Sequence, residues 1–190
     1  MTILYVILGI YLICLIGVKI FFAIEGDEKV VVKVDERTPF SVEQRTESSI
    51  TFSTKIEFVN VGKQCATIMD AIVRPQLPYE QYDGIEVRGK AEREGAPRED
   101  DYFEAVLIER AGKPKTKDGK DRDRIYIFAK VTLTPRKGMS LEEALSHMVD
   151  LPIDLIYMEV GRTPWRYAKV RIVLSAEEIA ELAGVKLVKD

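Results

Sequence analysis

The chain has 190 residues, 46% of them hydrophobic and 31% charged, with a formal net charge of −3. That suffices for one well-cored domain plus an accessory segment, in a globular rather than a disordered balance. The net charge, with Lys and Arg scattered along the chain, excludes a strongly basic nucleic-acid binder; two cysteines, Cys14 and Cys65, exclude a disulfide framework or a cysteine zinc site.

Residues 3–24 read ILYVILGIYLICLIGVKIFFAI, an apolar run of 22 residues with one charge, Lys19. As a helix it would extend about 33 Å, the hydrocarbon thickness of a bilayer. It lacks the polar face that a soluble core helix of this length needs. Lys19 lies near enough to the end for its stem to carry the ammonium to the interface. A cleaved signal peptide fits less well: no basic segment leads the run, the run is too long, and Phe21-Phe22-Ala23 puts bulk where cleavage needs small residues. Large residues before Cys14 also speak against a lipoprotein site. The expectation is a single-pass anchor over residues 1–25, with residues 3–24 in the lipid of a cell membrane. Only the α-amino group precedes the run, whereas Lys29, Lys33 and Arg37 follow it; counting basic residues places the next domain in the cytoplasm. Analogy with membrane-tethered bacterial sandwiches places it outside, and the side stays open.

Beyond residue 25 the period becomes two. Val30, Val32 and Val34 alternate, and then Ile50, Phe52, Thr54, Ile56, Phe58 and Asn60 share one face opposite Thr51, Ser53, Lys55 and Glu57. In FVNVGKQCATIMD, Asn60 and Gly62 tolerate positive φ, so Asn-Val-Gly-Lys reads as a corner between strands rather than as a binding loop. Ala66, Ile68 and Ile72 continue on one face beyond it, with Met69, Ala71 and Val73 on the other. Further strands are predicted around Ile85 and Val87, over 102–108, over Ile125–Leu133, over 153–160 and over 168–174. Two short helices interrupt them. Ser140-Leu-Glu-Glu143 and Ser175-Ala-Glu-Glu178 are capping boxes, and Gly184 stops the second helix. The first suits a crossover between two sheets; the second, over 175–184, suits a lid on the core.

Candidate chemistry is sparse. Glu94, Arg98-Glu99-Asp100-Asp101 and Glu104 could offer carboxylates to a cation, yet a run leading straight into a strand lacks the folded loop that calcium requires. GKPKTKDGKDRDR has the wrong spacing for an EF-hand and reads as a charged hairpin over 113–124. The single histidine, His147, sits on a short helix, and no nucleophile elbow, H-E-x-x-H, Walker loop or dinucleotide fingerprint is present. No catalytic, metal or cofactor residue is assigned. Tyr79 and Tyr82 in the Pro75–Tyr82 loop, and Trp165 in GRTPWR, are candidate partner contacts or packing residues.

A strand ending F-V-N-V-G, a strand C-A-T-I-M-D-A-I-V-R-P and later paired strands resemble the immunoglobulin-like β-sandwich domain of membrane-anchored, uncharacterised bacterial proteins, over about residues 28–175. Asp154-Leu-Ile-Tyr157 resembles the tyrosine corner of such domains. The fold expected is mainly β: an N-terminal transmembrane helix, then an antiparallel sandwich with two short helices over residues 26–190. The function expected is a membrane-tethered, non-catalytic interaction or structural module of the bacterial envelope, with a protein partner, no nucleic acid and no cofactor. The alternatives are a carboxylate- or metal-dependent enzyme using acidic residues near 94–104, and a small-ligand sensor with a cavity between the sheets lined by Phe52, Ile127 and Val170.

Overall fold

The computed structural model describes residues 2–78, 82–97, 102–112, 115, 116, 119 and 121–188. The apolar run forms one helix, α1 (Thr2–Glu25), long and apolar enough to cross a membrane, with its large side chains exposed. Among the described residues nine strands follow: β1 (Val30–Lys33), β2 (Ser41–Arg45), β3 (Ile50–Asn60), β4 (Ala66–Pro75), β5 (Ile85–Arg93), β6 (Tyr102–Ile108), β7 (Arg124–Pro135), β8 (Leu151–Val160) and β9 (Arg166–Leu174). Helix α2 (Leu141–Ser146) lies between β7 and β8, and α3 (Ala176–Ala183) follows β9.

The strands form two antiparallel sheets. One runs β1-β3-β7-β5, with β2 also paired to β3; the other runs β6-β4-β8-β9. Their inner faces close on one core, as expected for a β-sandwich. The period-two pattern explains why. Ile50, Phe52, Thr54, Ile56, Phe58 and Asn60 of β3 are all buried, as are Ile125, Ile127, Ala129, Val131 and Leu133 of β7. Each large aliphatic side chain so enclosed contributes about 1.5–3 kcal/mol. Phe58 and Tyr157 meet edge to face across the core, 5.1 Å between ring centres. Tyr157 therefore faces inward in mid-strand instead of forming a tyrosine corner, and burial pushes its phenol up to about 12.

Several local expectations are corrected. In β4, Asp70 adopts φ 49° and the pairing register slips between Met69 and Ile72. This β-bulge switches the inward set from Ala66 and Ile68 to Ala71 and Val73 and leaves Ile72 partly exposed. The charged segment 113–124 joins β6 in one sheet to β7 in the other, so it belongs to a crossover and not to a hairpin. Cys65 lies in the turn before β4, exposed. The strand β2, with all five residues exposed, carries no apolar alternation to reveal it.

Both capping boxes form. Ser140 Oγ accepts from Glu143 N at 3.1 Å and Ser175 Oγ from Glu178 N at 3.2 Å, while Gly184 takes the left-handed cap at φ 70°. Helices α2 and α3 close the end of the core away from α1, where Val188 N donates to Ser146 O. Gly89 lets β5 ride over β4: a Cβ there would overlap the Val73 carbonyl and come within 2.7 Å of Pro75 Cδ. Gly89→Ala should therefore destabilise the full chain in detergent by about 1–3 kcal/mol, read as a lowered urea midpoint at unchanged slope. An unchanged midpoint would mean that the two sheets do not meet there.

Candidate functional site at the helix–sandwich junction

A helix ends with four backbone carbonyls that lack intrahelical donors. The last turn of α1 contains no basic residue to satisfy them. Gly26 N, just past the helix, donates to Phe22 O at 3.0 Å, and the sandwich supplies further donors from two turns. From the β3–β4 turn, Lys63 Nζ donates to Ile24 O at 3.2 Å, and Gln64 Nε2 donates to Glu25 O at 3.2 Å. From the β8–β9 turn, Arg162 donates through Nη2 to Phe22 O at 3.2 Å and through Nη1 to Gly26 O at 3.0 Å, its guanidinium lying 4.3 Å from the centre of the Phe22 ring. Cations at a helix C-terminus also meet the negative end of its dipole.

Residues 26–30 are then stitched between the sheets. The Glu28 side chain is buried; its carboxylate accepts from Arg162 N at 3.0 Å, from Thr163 N at 3.2 Å and from the Thr163 hydroxyl. Burial alone would push this carboxyl up, but the Thr163 hydroxyl and the surrounding amides outweigh it and hold it below its ordinary value. Buried Glu159 accepts from Val30 N through one oxygen at 3.2 Å and from Arg166 through the other at 2.9 Å. Asn60, fully buried at the end of β3, accepts from Lys29 N and Gly62 N and donates to Gln64 O and Ile108 O.

Two glycines make this fit possible. A Cβ on Gly62 would lie 2.6 Å from Asp27 O, and one on Gly161 would lie 2.5 Å from Glu28 Cγ. Neither Asn60 nor Gly62 adopts positive φ. The turn expected to be a plain corner is thus a cradle for the chain's own linker, with glycine chosen for close approach. The sequence pointed to Asn60 and Gly62 for the wrong reason and passed over Glu28 and Arg162. The available signal was an apolar helix without a basic last turn.

The other candidates fall elsewhere. Trp165 is 63% exposed at the tip of the β8–β9 turn and meets Tyr167, 64% exposed, edge to face at 5.7 Å. Tyr82 instead packs against the core, its hydroxyl donating to Ala144 O at 2.6 Å; burial and the nearby Glu143 and Asp83 charges raise its phenol. Tyr79 and the acidic residues 99–101 lie outside the described residues, as does the side chain of Glu104. Glu94 pairs with Lys55 at 2.8 Å beside a surface groove of about 600 Å³ under the 109–123 crossover. The groove's other carboxylates are also matched: Glu109 with Arg122 at 3.1 Å, and Asp121 with Lys115 at 3.3 Å. Among the described residues no group of three or more His, Cys, Asp or Glu is placed to hold a metal ion. Phe52 and Ile127 are fully buried in the core, with Val170 packed on its margin. His147 is exposed at the end of α2.

No family model and no curated protein matches the chain. Among solved structures, the GAE domain of GGA2p from Saccharomyces cerevisiae is similar over 78% of this chain and 98% of its own, at 11% identity and a TM-score of 0.32. The GAE domain of yeast GGA1 is similar over 70% and 97%, at 7% identity and a TM-score of 0.27.

A carboxyl held below its ordinary range contributes stability in full above that range and loses it as the pH falls through the folded-state value. For Glu28 that loss begins below about pH 4.5. Asp154, lowered chiefly by Arg171 and also by Lys169, loses its contribution over a similar acid range. Acidification should therefore lower the thermal midpoint of the full chain in detergent, and Glu28→Gln should reduce that acid sensitivity while lowering the midpoint at neutral pH. An identical acid slope in the variant would remove Glu28 from the clamp.

Proposed function

We propose that the chain is a membrane-tethered, non-catalytic interaction or structural module of the bacterial envelope, with residues 1–25 as the anchor and residues 26–190 as an immunoglobulin-like sandwich held at a fixed attitude to the bilayer. The observation that carries this reading is the capping of α1 by Lys63, Gln64 and Arg162. A domain that supplies the last donors of an apolar helix is built to keep that helix, which favours a retained anchor over a cleaved leader. The basic residues Lys29, Lys33 and Arg37 favour a cytoplasmic domain.

The two outer faces of the sandwich support a partner on one side. On the β1-β3-β7-β5 sheet, charges are matched across strands, Glu57 with Lys33 and Arg124 and Glu92 with Lys130, and within β5, Glu92 with Lys90. On the other sheet the register aligns Ala105, Met69 and Met158 in one row, beside Leu107, Thr67 and Val160 in the next. Leu107 is well exposed. Such an apolar outer face suits a protein partner that presents apolar side chains of its own.

A photo-cross-linking side chain at Leu107 in cells should give a discrete protein adduct, and one at Arg88, on the opposite sheet, should give none. Equal patterns from both positions, or no adduct from either, would count against the module. Residues 26–190 expressed alone should be soluble and unfold cooperatively; a fragment that aggregates without lipid would refute an independent domain.

A further inference from the structure

Trp165 is the single tryptophan of the chain, and it lies where the sandwich meets α1. Its neighbour Arg162 bonds to the carbonyls of Phe22 and Gly26. Two residues, Thr163 and Pro164, separate the two, so the Trp165 backbone lies within about 10 Å of Arg162, whatever path the turn takes. The apolar run ends at Ile24, immediately beside these contacts. The polar layer outside the hydrocarbon is roughly 5–7 Å deep on each side of a bilayer. Trp165 thus sits on the turn that meets the helix end, on the side of the sandwich from which α1 leaves.

Its surroundings have the composition of an interfacial anchor. Trp165 and Tyr167 stack edge to face and are both largely exposed. On the other side of the helix end, the β3–β4 turn presents exposed Val61, and Lys63 reaches the helix itself. Aromatic rings with a polar edge, interleaved with cations, concentrate at the headgroup level. In a protein-facing role, Trp165 would have to serve a partner crowded against lipid.

We infer that Trp165 and Tyr167, flanked by Arg162 and Lys63, form a pad that rests in the headgroup layer of the bilayer entered by α1, making the sandwich a domain that lies against the membrane. This rests on the anchor reading above and adds a second lipid contact to it. The pad turns the capped helix end into a two-point attachment, one through the hydrocarbon and one at the surface.

The test uses the full chain in vesicles of phosphatidylcholine and phosphatidylglycerol, and the emission of its one tryptophan. Lipids brominated near the headgroup should roughly halve that emission, while aqueous acrylamide should quench it weakly. A water-soluble maleimide in the same vesicles, with the labelled thiol located by mass spectrometry, should react with Cys65 and spare Cys14. If Cys14 is spared but Trp165 is quenched by acrylamide and not by the brominated lipid, the pad is refuted while the anchor stands. If Cys14 is labelled as well, the anchor fails and the pad with it. Trp165 that becomes shielded only when a protein is added would equally overturn the lipid assignment.

Discussion

The carbonyls that end α1 set the constraint on which the rest of the molecule depends. Inside lipid an unmatched backbone acceptor costs several kcal/mol, and even at the boundary it needs a donor. This helix carries no cation in its last turn. Side chains roughly 39 and 140 residues further along the sequence supply the donors. The cap is therefore a tertiary contact, present only when the sandwich is folded. Folding of the domain and completion of the helix end become one event, and the attitude of the domain follows from it.

Much of the architecture at the α1 end serves that contact. Asn60 uses both ends of its amide to fix the β3–β4 turn and the start of β1. Glu28 and Glu159 bind the linker to the β8–β9 end of the opposite sheet. Buried carboxylates are costly unless matched by donors, and both of these are matched. Removing Glu28 would leave the Arg162 and Thr163 amides without their acceptor, at about 1–3 kcal/mol each if they stayed dry. The far end, by contrast, is closed by two capped helices and apolar contacts. The outer faces differ: cross-strand ion pairs cover one sheet, and the other keeps an apolar row beside the Asp154 pairs with Arg171 and Lys169.

The layers were legible in the sequence because side-chain period is a local property. β3 and β7 bury the residues that alternate, and the capping boxes at Ser140 and Ser175 close as their spacing dictates. What the sequence hid was whatever depended on distant neighbours. Nothing local marks Asp70 as the site of a bulge that reverses the faces of β4. Nothing local sorts β6 and β7 into different sheets, because a charged loop reads alike whether it turns back or crosses over. Gly62 has two possible reasons to be glycine, torsional freedom or closeness, and only the position of Asp27 decides between them. Nothing local marks Glu28, because its importance comes from a turn that the chain reaches only after residue 160. Trp165 was visible as a residue of interest, and its exposure beside the helix end could not be read from its neighbours in sequence.

The central claim is that α1 and the sandwich form one rigid unit. It is tested most directly by electron–electron distance measurement on the full chain in lipid nanodiscs, with native cysteines replaced and spin labels at Ile10 in the helix and Arg88 on the exposed face of β5. The account predicts a narrow distance distribution that broadens on Arg162→Ala, when Gly26 O and the Phe22 ring lose their partner and Phe22 O keeps only the Gly26 amide. A distribution already broad in the parent chain, and indifferent to Arg162→Ala, would show that the helix and the sandwich move independently and would contradict it.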